Sequence, residues 1–194
     1  MNTDITVQDL NRPEVKEWLE SLTKFKISYF DYQNDDELQI LFNAASNATA
    51  IKFEAFESIN IKICMDKRIT DIFIDATDEV DFTPLLQNKK NLVKATIYGL
   101  YIYHYSDIEH FLNNNINTLK YLCLDIYGFS HEDYIKLINK VQRMKCSYKL
   151  QMYYSDDEDA EHDAKFLADN YNARMEWSSG GYAGIIVTLP GDRN

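Results

Sequence analysis

Apolar residues recur along the chain in one frame, spaced i, i+3, i+5, with an extended segment centred on the last two. In LKYLCLDIY the frame is Leu119, Leu122 and Leu124. It returns as Ile69, Ile72 and Ile74 in ITDIFIDAT, and as Leu92, Ala95 and Ile97 in LVKATIYGL. Weaker copies are Ala48, Ile51 and Phe53, and Ser147, Leu150 and Met152. Lys24, Ile27 and Tyr29 open the series, and Ile185 with Val187 close it. Successive frames begin about 21–28 residues apart, apart from a longer last step. That interval is the length of a short repeated strand–helix unit.

Helical periodicity fills the intervals. Ser106-Asp107-Ile108-Glu109 reads as a capping box ahead of Phe111 and Leu112. Ser130 precedes Tyr134, Leu137, Ile138 and Val141 on one helical face. Thr83-Pro84 starts a short turn, and Asp35 or Asp36 starts a helix carrying Leu38, Leu41, Phe42 and Ala45. Ser155 with Glu158 opens the last helix, through Ala164 and Leu167. Pro13, Val15, Trp18, Leu19 and Leu22 make a helix with no strand before it. Residues 1–23 are thus expected to form an N-terminal capping helix, and 24–194 the repeat-bearing domain.

Strands alternating with helices imply parallel strands joined by right-handed crossovers. Two α/β architectures fit: a short βα solenoid with a mostly parallel sheet and one open face, or a doubly wound sandwich. A sheet covered on both faces has nearly continuous apolar strands, whereas one with an open face alternates. The in-between positions here are largely polar: Asp71, Phe73, Asp75; Lys94, Thr96, Tyr98; Tyr121, Cys123, Asp125; Lys149, Gln151, Tyr153. This alternation favours the open face.

On these frames the chain resembles the leucine-rich-repeat family, over about residues 24–190. It is most similar to the irregular repeats in the substrate-recognition arms of F-box proteins. The family usually places Asn or Cys three residues beyond the frame, where this chain has Thr77, Leu100, Tyr127 and Ser155. One short helix precedes the first strand, where an F-box has three. The resemblance implies protein recognition on a concave sheet face.

Composition narrows the function. A formal net charge of −11 argues against a general nucleic-acid or anionic-membrane binder, because phosphate contacts need a basic patch. The 14 tyrosines are rigid, amphipathic contact residues. Cys64, Cys123 and Cys146 form no CxxC pair, which suits free thiols in a reducing compartment. The N-terminal stretch lacks an apolar signal core, so a cytoplasmic location is expected.

Several constellations invite chemistry and have simpler explanations. The acid run Asp156, Asp157, Glu158, Asp159, Glu161 and Asp163 lacks the glycine and terminal glutamate of a calcium loop; acids in a first helical turn offset the helix dipole. His104, Asp107 and His110 are zinc-type ligands, but His104 falls outside the helix. Tyr101, Tyr103 and Tyr105 read as packing at the strand-to-helix corner. Cys123 falls on the open face with no histidine base in register. Gly180, Gly181 and Gly184 precede a strand rather than a helix, unlike a phosphate loop. No metal, cofactor or catalytic residue is expected.

The expected function is a non-catalytic protein–protein interaction module. Its partner-binding residues are Phe73, Asp75, Lys94, Tyr98, Tyr121, Asp125, Lys149 and Tyr153, with the aromatics forming a stripe across successive strands. The alternative is an acidic inhibitor or immunity-type protein that masks a basic enzyme through the 156–161 acids.

Overall fold

A computed structural model describes residues 6–28, 35–56, 61–76, 80–154, 158–178 and 184–191. Each frame becomes a strand because its last two apolar positions share one side of the pleat. The strands are β1 (Lys24–Ser28), β2 (Ala50–Phe56), β3 (Asp71–Ala76), β4 (Lys94–Tyr101), β5 (Tyr121–Tyr127) and β6 (Ser147–Tyr154), followed by β7 (Arg174–Ser178) and β8 (Gly184–Gly191). The helices are α1 (Pro13–Ser21), α2 (Asp35–Ala44), α3 (Ile61–Cys64), α4 (Thr83–Asn88), α5 (Tyr105–Asn115), α6 (His131–Arg143) and α7 (Glu158–Tyr171). A 3-10 turn at Val7–Asn11 precedes α1.

All strands join one eight-stranded, mostly parallel sheet, in the order β1-β2-β3-β4-β5-β6-β8-β7. From β1 to β6 the strands lie side by side in chain order, all parallel. The reversal of order that marks a doubly wound sheet does not occur among them. The C-terminal strands depart from expectation. The Ile185–Val187 segment does not continue the parallel series: β8 runs antiparallel to β6. Strand β7, unmarked by any frame, pairs antiparallel with β8 at the edge. The two strands are consecutive in the chain and pair antiparallel along Arg174–Ser178 and Gly184–Thr188.

One cluster forms the core. Its strand side chains include Ile51, Phe53, Ile72, Ile74, Ala95, Ile97, Leu122, Leu124, Leu150, Met152, Val187 and Leu189. Every described helix contributes to it, through Leu19, Phe42, Ile63, Leu85, Phe111, Leu137 and Leu167 among others. The helices therefore share one face of the sheet. The opposite parity of β3 to β6, from Phe73 to Tyr153, adds nothing to this cluster.

Polar side chains tie each strand–helix unit to the one before. Arg68, Lys89, Asn115 and Lys140 each reach back to a group 22–27 residues earlier. Buried Lys89 donates to the Asp66 carbonyl at 2.7 Å. Fully buried Asn115 donates to the carbonyls of Lys89 and Phe111 and accepts from the Leu92 amide at 2.8 Å. All three of its polar bonds replace water that burial removes.

Of the α-helices whose caps are described, only α6 has a side-chain cap; α1 and α4 carry proline in the first turn behind Arg12 and Phe82. Ser130 caps α6 by accepting from the Asp133 amide. The Ser106 capping box does not form: α5 begins at Tyr105, with His104 in the cap position. Tyr105 packs against the core, and that contact sets the first helical residue. Ser155 lies outside the described residues.

Candidate functional site

The strand register lines up the open-face residues in rows. Lys94 pairs with Asp71 and Tyr121. Phe73 pairs with Lys52 and Thr96, and Thr96 with Cys123, which pairs with Lys149. Asp75 pairs with Glu54 and Tyr98. Asp125 pairs with Gln151, and Tyr153 with Ile186. All eight residues expected to bind a partner thus stand on one face.

Their chemistry differs along it. Near β2, Lys26 bridges to Glu54 at 2.7 Å, and Lys52 pairs with the same carboxylate. The Lys52 ammonium also lies 4.2 Å from the Phe73 ring centroid, and Phe73 meets Tyr98 edge-on at 5.7 Å. Lys94 sits over the Tyr121 ring at 5.1 Å. Tyr98 and Cys123 touch through hydroxyl and thiol at 3.8 Å, and burial pushes the Tyr98 hydroxyl up to about 12.

Between β4 and β6 the face is tyrosine-rich. Tyr101 stacks on Tyr127 at 4.8 Å, and Tyr127 on Tyr153 at 4.0 Å. The aromatics therefore form two groups rather than one stripe: Phe73 with Tyr98, and Tyr153 with Tyr101 and Tyr127. Tyr121 stands in the Lys94 row, two rows before Tyr98, and is near enough to add to the rise of the Tyr98 hydroxyl.

A bulge produces this regrouping. The β4–β5 register shifts between Ile97 and Leu100, where β4 carries one extra residue. Gly99 sits there at φ +71, and a Cβ on it would lie 2.4 Å from the Ala76 carbonyl oxygen. Only glycine fits both conditions. The extra residue resets parity, so Tyr101 returns to the open face beside Tyr127. Sequence parity alone missed Tyr101, for which a glycine inside a strand was the available signal; Tyr127 keeps the parity of Tyr121 and Asp125 and was passed over as a turn position. Tyr103, the third corner tyrosine, is largely exposed.

Asp125 is the one charged residue of the face that is nearly closed off, at 8% exposure. Tyr153 donates to its Oδ2 at 3.4 Å, while Oδ1 is buried with no hydrogen-bond partner among the described residues. Burial raises its carboxyl to about 6, against the opposing pull of the Tyr153 hydroxyl, the Gly99 amide and the Lys149 ammonium; Asp75 adds to the rise. The wall beneath is pinned by Tyr134 of α6. Its hydroxyl shares its one hydrogen between the carbonyls of Ile126 and Tyr153, each at 3.0 Å, and accepts from the Tyr153 amide, holding the ends of β5 and β6 together.

Cys64 and Cys123 are fully buried and Cys146 nearly so. Among the described residues no three His, Cys, Asp or Glu side chains converge to hold a metal, and no helix is long and apolar enough to cross a membrane. Asp156 and Asp157 lie outside the described residues; Asp159 and Glu161 are exposed on α7. Comparison of the chain with protein-family models, curated proteins and solved structures returned no match.

Proposed function

We propose that this chain is a non-catalytic protein-interaction module, a short right-handed βα solenoid of leucine-rich-repeat type that docks a protein partner on its open sheet face. The six parallel strands in chain order and the side-chain ties reaching back 22–27 residues support the solenoid reading. The stacked tyrosines Tyr101, Tyr127 and Tyr153 carry the functional reading. Three half-buried rings held against one another lose little side-chain entropy on binding, and they present a broad amphipathic surface. Phe73, Tyr98 and Tyr121 extend that surface, and Asp75, Lys94, Asp125 and Lys149 supply charged groups around it. Aromatic anchors in a polar surround match the anatomy of a binding hot spot.

Tyr127, at the centre of the stack, is the residue to test. Tyr127→Ala should weaken partner capture by about 1–3 kcal/mol, with the thermal transition retained. Glu132→Ala, on the solvent side of α6, should leave capture unchanged. Quantitative affinity capture from native extract, with the wild type and both variants, reads the outcome. Equal yields for Tyr127→Ala and wild type would remove the tyrosine stack from the interface.

A further inference from the structure

The two edges of the sheet differ. Strand β1 carries exposed Lys24 and Lys26. Self-pairing centred on Phe25 or Lys26 would set lysine opposite lysine, which is how natural edge strands avoid joining one another. Strand β7 has no such guard. It reads Arg174-Met175-Glu176-Trp177-Ser178 and, among the described residues, pairs on one side only, with β8. Arg174 and Glu176 are exposed and form no ion pair among the described residues, and Trp177 is 58% exposed.

Pleat and charge together select one partner and one register. Arg174 pairs with Thr188 and Glu176 with Ile186, on the open face; Met175 and Trp177 pair with Val187 and Ile185, on the helix face. Two antiparallel strands must match like face with like face, so a two-fold axis has to pass through a residue rather than between two. Centring on Arg174 or Glu176 sets like charges opposite, and centring on Ala173 or Trp177 leaves both charges facing uncharged residues. Centring on Met175 sets Arg174 opposite Glu176 of the second copy, and Glu176 opposite its Arg174. The same register lays each Trp177 across from Ala173 of the other copy, beside its Met175.

We infer that β7 is a self-complementary edge through which two copies of this chain pair antiparallel, centred on Met175. The local dyad of an antiparallel pair stands perpendicular to the sheet. Two eight-stranded sheets therefore join edge to edge with both tyrosine faces pointing the same way. A bivalent platform results, and avidity follows for any partner that is itself multivalent. A five-residue contact is small, so the dimer is weak and reversible.

Sedimentation of the full chain across the micromolar range tests this. The wild type should show a reversible monomer–dimer equilibrium. Arg174→Glu and Glu176→Arg should each weaken self-association at least about tenfold, because each sets two like-charge pairs across the dyad. An equimolar mixture of the two variants should re-form a dimer, since every facing pair is then opposite in sign. Thermal melts of both variants confirm folding, both sites being exposed. A monomeric wild type, a dimer indifferent to both substitutions, or a mixture that stays monomeric each overturns the proposal.

Discussion

On the helix side of the sheet, Phe53, Ile74, Ile97, Leu124 and Leu150 line up across five strands, and all are fully buried. On the other side, the neighbouring row is Lys52, Phe73, Thr96, Cys123 and Lys149. Both rows come from the same strands, one residue apart. The first is covered by helices, so its members need only be apolar and of suitable size. Among the described residues no helix covers the second, so its side chains lean on one another and on the rest of that face: Lys52 on the Phe73 ring and Glu54, and Cys123 on Tyr98. A covered row tolerates exchange of one aliphatic residue for another. An uncovered row depends on who stands beside whom.

The largest effect expected from this contrast lies on the covered side. Leu124→Ala should cost about 2–5 kcal/mol, from lost transfer energy and the cavity left among packed helices. Chemical denaturation measures it. A loss below about 1 kcal/mol would mean that the helix face collapses around the gap, and that the core is less tightly packed than the zero exposure of Leu124 indicates.

Gly99→Ala joins the two faces. The added Cβ meets the Ala76 carbonyl at 2.4 Å on a backbone at φ +71. Strain and overpacking together should cost about 2–4 kcal/mol. The damage should also reach the open face, because the bulge sets the parity of Tyr101. Near-ultraviolet circular dichroism reports the tyrosine stack directly. A stable variant with an unchanged tyrosine signal would show that the bulge does not position Tyr101.

How far the chain announced its own structure follows from the same contrast. Burial by helices leaves a period-two signal, so the six parallel strands, and the face of each residue short of the β4 bulge, were legible from Ile72/Ile74, Leu122/Leu124 and their equivalents. The α/β class and the mostly parallel sheet followed. The tyrosine stack was not legible. It depends on a parity reset at Gly99, and one inserted residue is invisible to a count that assumes even spacing. Strand β7 carried no frame because Met175 and Trp177 lie at an edge, where α7 covers them only in part. The antiparallel turn of β8 was hidden for a related reason: Ile185 and Val187 bury the same face whichever way the strand runs. The closed-off state of Asp125 required knowing which long side chains stand around it.

Asp125 gives the smallest effect and the most specific one. Its carboxyl titrates near 6 in the folded chain, against an ordinary value of 3.8, mainly because burial disfavours the charge. Between those values the folded state holds more protons than the unfolded state. The Asp125 contribution to stability is therefore fully present below about pH 4 and is lost as pH rises through 6. Asp125→Asn cannot ionise, so it lacks this decline. The gap between variant and wild type should shift in favour of the variant by roughly 2 kcal/mol between acid and neutral pH. Paired denaturation curves across that range isolate the shift, because every other titrating group is common to both chains. Parallel pH profiles for the two proteins would mean that water reaches Oδ1, and that the open face is less tightly closed over Asp125 than its own side chains make it here.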